Sequence, residues 1–195
     1  MRHLMKLMIA GALCLLLGAG CASSHPEVLM ETDLGDIRLE IYAKKAPVTA
    51  ANFLRYVDEG RLKGAHFYRV VTPANQPNND VKIEVIQGGL GFGEDEGRLP
   101  PLPHETTAQT GVLHTDGVLS MARSEPGSAS SEFFICVGDQ PALDFEGRRN
   151  PDGQGFAAFG RVVSGMDVVR AIQQQPATEQ MLDEVVRITG VRRVR

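Results

Sequence analysis

The chain has 195 residues, 43% hydrophobic and 23% charged, with 20 basic against 24 acidic side chains and a net charge of −4. That is the balance of an ordinary globular domain, and it excludes collagen-like, coiled-coil and disordered architectures. A mildly acidic chain is also poorly suited to holding nucleic acid through its phosphates. Twenty-one glycines and eleven prolines are more than helix bundles accommodate and point to strands and turns.

At the N-terminus, Arg2 and Lys6 precede an apolar run from Leu7 to Gly20. The run falls short of the roughly 20 residues that span a bilayer and fits an export signal over 1–20. The small residues before Cys21 resemble a bacterial lipobox, although Leu17 sits one place earlier than such boxes usually have it. The resemblance implies acylation of Cys21, a tether over 21–26 and a domain over 27–195. It places that domain in the bacterial cell envelope, facing the periplasm and touching membrane only through its lipid. Ordinary secretory cleavage and an uncleaved anchor are the alternatives. Only Cys136 then remains unmodified, in the apolar Phe133-Phe134-Ile135-Cys136-Val137, so no intramolecular disulfide forms and the thiol is expected to be buried.

Val28–Thr32 and Ile37–Tyr42 predict two strands, joined by a turn rich in Asp and Gly. In the second, Ile37, Leu39 and Ile41 alternate with Arg38, Glu40 and Tyr42, one face buried and one wet. Pro47 opens a helix in its first turn, with Phe53, Leu54 and Val57 on one side and Gly60 at its end. Phe67–Val71 and Ile83–Gln87 are strands separated by a polar, exposed loop over Thr72–Asp80. Short apolar strands follow at Val118–Ala122, Phe133–Val137 and Phe159–Val163. Met166–Gln173 is a second helix, and Val186–Val194 closes the chain as a strand. Many short strands with two helices suggest one closed β-barrel.

The common chemical signatures are missing. No serine sits in a G-x-S-x-G elbow, and the five histidines show no zinc spacing. Gly89-Leu90-Gly91-Phe92-Gly93 lacks the ending of a phosphate loop, and Asn150–Gly155 lacks calcium-loop spacing. No metal or cofactor is expected.

An ordered set of segments is more informative. Phe67-Tyr68-Arg69-Val70-Val71 is followed by Ile86-Gln87-Gly88-Gly89, then by Gly117-Val118-Leu119-Ser120-Met121-Ala122-Arg123. Ser131-Glu132-Phe133-Phe134-Ile135, Leu143-Asp144 and Phe156-Ala157-Ala158-Phe159-Gly160-Arg161-Val162 come after. In this order the chain, from Val28 to Val194, resembles the cyclophilin family of peptidyl-prolyl cis-trans isomerases. The resemblance implies a mainly β fold, a closed eight-stranded antiparallel β-barrel capped by two α-helices, with the site on its outer surface. It implies proline-containing polypeptides as partners of a monomer, with no cofactor.

By the same resemblance Arg69 is the hydrogen-bond donor to the twisting prolyl nitrogen. Gln87 positions the substrate carbonyl and the arginine. Val85, Phe134 and Leu143 line the proline pocket, with Phe156 at its rim, and Ala122 and Arg123 lie along the bound peptide. Phe133 is expected to face the core, opposite Phe134. Four positions depart from the common pattern, one being Phe156, where many members have histidine. Glu84 replaces a frequent phenylalanine and puts an acid near Arg69, so that either the two pair or the long 72–80 loop shifts the register. Ala142 stands where several members have tryptophan, and Glu132 where glutamine is common. Pairing of Glu84 with Arg69, together with the loop, would favour an alternative function, a proline-peptide-binding chaperone or scaffold without turnover.

Overall fold

The computed structural model describes residues 25–93 and 95–194. The expected export signal and Cys21 lie outside the described residues. Nine strands form, β1 (Glu27–Thr32), β2 (Gly35–Ile41), β3 (His66–Val71), β4 (Val85–Gly89), β5 (Val118–Met121), β6 (Phe133–Cys136), β7 (Ala157–Ser164), β8 (Ala177–Thr178) and β9 (Met181–Arg193). The helices are α1 (Pro47–Asp58), α2 (Thr107–Thr110) and α3 (Met166–Gln173). All strand pairings are antiparallel, in the order β1-β2-β7-β5-β6-β4-β3-β9, and β1 pairs back onto β9 to close an eight-stranded barrel. The two-residue β8 is a hairpin partner on β9. Among the described residues, closure leaves no long strand edge unpaired.

Two short elements depart from the sequence expectation. The four-residue α2 has no apolar periodicity to announce it and forms through a capping box between Thr106 and Gln109. β9 begins at Met181 rather than Val186, because β8 gives its first residues a partner.

Alternation along the strands divides the apolar residues into two clusters. Ile37, Leu39, Phe67, Ile86, Leu119, Phe133, Ile135 and Phe159 fill the barrel, where Phe133 meets Phe53 and Phe67 edge to face. Val71, Val85, Phe134, Cys136, Leu143 and Ala158 form a second cluster on the outside wall. Phe133 and Phe134 therefore point to opposite sides of the sheet, as the alternation predicts. Cys136 is buried in the outer cluster, and burial pushes its thiol pKa up.

The helices are fixed by local chemistry. Ala46 provides no side-chain cap for α1, and the Glu105 carboxylate does so from a distant loop. It accepts the Val48 and Thr49 amides at 3.2 and 2.7 Å. Phe53, Leu54, Tyr56 and Val57 then close one end of the barrel. α3 packs against β2, β3 and β4, burying Val169 and Ile172. Its entry needs glycine, since Gly165 has φ +95° and a Cβ there would meet the Asp36 carbonyl.

Candidate active site

β3 carries the decisive irregularity. Phe67 faces Gly88 and Arg69 faces Gln87, so three residues of β3 oppose two of β4. Tyr68 is the extra residue of a β-bulge. Phe67 and Val70 point into the barrel, while Tyr68 and Arg69 both face a groove on the outer wall. Strict alternation from Phe67 would have turned Arg69 into the core.

The groove has a volume of about 530 Å³. All eight residues expected at the site line it. Arg69 and Gln87 lie on the β3–β4 side, with Val85, Phe134 and Leu143 as the apolar floor and Phe156, Ala122 and Arg123 across from them. Leu143 is fully buried. Phe134 meets Phe156 edge to face, with ring centroids 5.3 Å apart, which makes two walls of an apolar slot.

Arg69 is held by neutral groups. Its Nη1 donates to Gln87 Oε1 at 2.7 Å, and its Nε and Nη2 donate to Gln180 Oε1 at 3.0 and 2.5 Å. Gln180 sits in the turn between β8 and β9, where Glu179 takes a left-handed φ of 57°. Among the described residues no carboxylate pairs with Arg69, and burial lowers its pKa. The guanidinium keeps its charge, and that charge is left for the groove.

Behind Gln87 the hydrogen bonds continue. Gln87 Nε2 donates to the Tyr68 hydroxyl at 2.8 Å, which donates to Glu132 Oε2 at 2.6 Å. Burial and the Glu132 bond together push the Tyr68 pKa well above its usual range. Glu132 also accepts Ser131 Oγ at 2.8 Å and Arg98 Nη1 at 3.4 Å. Each member has one role, so the Gln87 amide has a single orientation, with its oxygen toward Arg69.

Two expectations need correction. Glu84 does not pair with Arg69; it accepts a 3.3 Å bond from Gln173 Nε2 on α3. Val85 and Gln87 are on the groove side, and Glu84, just before β4, meets α3 instead. The 72–80 loop is not simply exposed. Gln76 is 3% exposed and is bonded to the Thr72 and Ile83 backbone, and Arg149 Nη1 reaches Gln76 Oε1 at 2.9 Å and the Val81 carbonyl at 2.6 Å. Arg123 lines the groove as expected. Its guanidinium is taken up by Asp152, the Gly155 carbonyl and the Phe156 ring.

Sequence reasoning missed Tyr68, Gln180, Arg98 and Arg149. Tyr68 lay inside a quoted segment, and its role follows only from the bulge. Gln180 and Arg149 are polar residues in turns and carry no local signal.

Against the far side of Phe134 stands a Ser120–His114–Asp144 chain. His114 Nδ1 lies 2.7 Å from Asp144 Oδ1 and Nε2 2.9 Å from Ser120 Oγ. The order is that of a hydrolytic triad, but Ser120 is wholly buried and absent from the groove lining, so no substrate reaches it. The His114 ring stacks on Phe134 at 5.9 Å and braces the slot.

Comparison with known proteins identifies the family. The family model for cyclophilin type peptidyl-prolyl cis-trans isomerases matches residues 27–193. A peptidyl-prolyl cis-trans isomerase of Acinetobacter baylyi is 38% identical over 159 residues, covering 80% of this chain and 77% of that protein. Peptidyl-prolyl cis-trans isomerase B of Escherichia coli is 37% identical over 150 residues, 75% of this chain and 83% of that one. A cyclophilin type isomerase structure from Cryptosporidium parvum superimposes with a TM-score of 0.68 at 20% identity, over 88% of this chain and 98% of that one, and so shares the fold. With a bulged arginine over an apolar slot and these relatives, the chain belongs to the cyclophilin-type peptidyl-prolyl cis-trans isomerase family.

Proposed function

We propose that this isomerase is exported, tethered by a lipid on Cys21, and accelerates rotation about X–Pro bonds in proteins folding in the bacterial envelope. In this reading 1–20 is the export signal, 21–26 the tether and 27–195 the isomerase domain. The Cryptosporidium parvum enzyme has also been crystallised in the presence of the dipeptide Ala-Pro. That supports proline-containing polypeptides as the partners here.

The chemistry requires no bond to be broken. Peptide rotation faces a barrier of about 18–20 kcal/mol because twisting destroys amide resonance. As resonance is lost, the prolyl nitrogen regains a lone pair and becomes a hydrogen-bond acceptor. The proline ring sits in the slot of Val85, Phe134, Leu143 and Phe156, and Arg69 donates to the nitrogen in the twisted state. Gln87 holds the carbonyl side. A bond made only in the transition state lowers the barrier, whereas one made equally to the ground state does not. The apolar floor excludes water and strengthens that bond.

The single observation that carries this reading is the Arg69 guanidinium, fixed by two neutral amides beside an apolar slot. The bonding of Glu84 to Gln173 removes one of the two features that favoured binding without turnover, the other being the 72–80 loop. In a protease-coupled assay on an X–Pro peptide, Arg69→Ala is expected to lower kcat/KM by about 10²–10³, the cost of one transition-state donor. A wild type no faster than the uncatalysed background leaves only binding. Labelled palmitate entering the wild type but not Cys21→Ser tests the tether.

A further inference from the structure

The chain is acidic overall, yet its groove is not. Four arginines line it, Arg69, Arg98, Arg123 and Arg149. Arg98 is paired with Glu132 and Arg123 with Asp152. Arg69 and Arg149 bond only to amide and carbonyl oxygens. Among the described residues neither has a carboxylate partner. Burial, and then the nearby charge of Arg69, lower the pKa of Arg149. Two uncompensated positive charges therefore face one half-enclosed space, where low-dielectric walls concentrate their field.

Their order along the groove decides what they meet. Ala122 lies at the Gly88 end of β4, since Met121 pairs with Phe133 and Phe133 with Gly88. Arg149 lies beyond the opposite end, clamped on Val81 and Gln76 next to Ile83. In the proposed binding, with the carbonyl that precedes proline at Gln87 and the ring over Val85, the chain runs from the Gly88 end of β4 toward Val85, so the residue before proline lies toward Ala122. The residue after it lies toward Arg149. Arg149 spends only Nη1 on Gln76 and the Val81 carbonyl, and no bond is made by its Nε or Nη2 to another described residue.

We propose that the groove selects proline followed by an acidic residue, with Arg149 receiving that carboxylate. The inference rests on the isomerase reading for its substrate, and it makes Arg149 a specificity-determining residue. The 72–80 loop then has a purpose, since Gln76 and the Val81 carbonyl aim the guanidinium into the groove.

NMR exchange spectroscopy on blocked Ala-Ala-Pro-Glu-Ala and Ala-Ala-Pro-Gln-Ala tests it, with a second pair carrying Glu or Gln before proline. The Glu/Gln ratio of kcat/KM after proline is expected to be about 5, the upper range for a solvent-accessible ion pair, and to shrink at 0.5 M salt. Arg149→Gln should bring the ratio to about 1, and Arg149→Lys should keep it above that. Because a loosened loop slows both peptides alike, the ratio separates charge from structure. A wild-type ratio near 1, a ratio unchanged by Arg149→Gln, a Lys variant behaving like Gln, or a preference confined to the residue before proline overturns the proposal. If neither peptide is turned over, the isomerase reading fails instead, and the ratio of Kd values from chemical-shift titration of the same peptides decides the acidic preference.

Discussion

Replacing Gln180 by alanine removes the acceptor that holds two of the three hydrogen-bonded nitrogens of Arg69. Hydrogen bonds to a charged group contribute about 1.5–3 kcal/mol net each. Arg69 is only partly buried, so groove water replaces much of what is lost. What water does not replace is direction, since Gln87 alone leaves the guanidinium free to swing about a single bond. We expect a loss of about 1.5–2 kcal/mol of transition-state stabilisation, or about 10–30-fold in kcat/KM, chiefly in kcat. Stability to urea should fall by less than about 1 kcal/mol, because the backbone bond from Val70 N to the Gln180 carbonyl is untouched. NMR exchange or a protease-coupled assay reads the rate. Gln180→Glu sharpens the test. A carboxylate would hold Arg69 at least as firmly but cancel the charge it offers and lose the Gln180 Nε2 bond to the Asn75 carbonyl, so kcat should fall well beyond any loss of stability. A Gln180→Ala enzyme that folds and keeps kcat/KM within twofold of wild type would refute the idea that Arg69 must be held from both sides.

Tyr68→Phe strands Gln87 Nε2 and Glu132 Oε2 together, and should cost about 1–3 kcal/mol in urea denaturation while slowing turnover through a loosened Gln87. The same tyrosine shapes alkaline stability. Its folded pKa lies above the ordinary 10.0, so its contribution is complete below pH 10 and is lost as pH rises further. Cys136, raised by burial from 9.0, adds a decline of the same sign starting near pH 9. Stability measured from pH 8 to 11 should therefore fall, and less steeply in Tyr68→Phe. Phe134→Ala empties the floor of the slot, with an expected loss of about 3–5 kcal/mol in stability and a raised KM for proline peptides. Gly165→Ala forces a Cβ against the Asp36 carbonyl at a left-handed φ, and should lower Tm without changing the ratio of rates between peptides.

Much of the barrel is legible in the chain because alternation is a local code. Ile37, Leu39 and Ile41, or Phe133 against Phe134, declare their faces from spacing alone, and a packed core enforces what they declare. The apolar half of the site follows from it, since Val85 and Phe134 sit on outward positions of β4 and β6. The polar half does not. Alternation read from Phe67 sends Arg69 inward, and only the pairing of β3 with β4 inserts Tyr68 as an extra residue and turns the guanidinium out. Gln180 is more than a hundred positions from Arg69 and reaches it through a turn whose shape depends on β9. Arg149 and Gln76 meet across two loops, and Glu84 finds α3 rather than Arg69. Spacing specifies which face a strand residue presents. Which charges share a pocket depends on bulges, turns and long-range pairings whose energies are settled only once the barrel has closed.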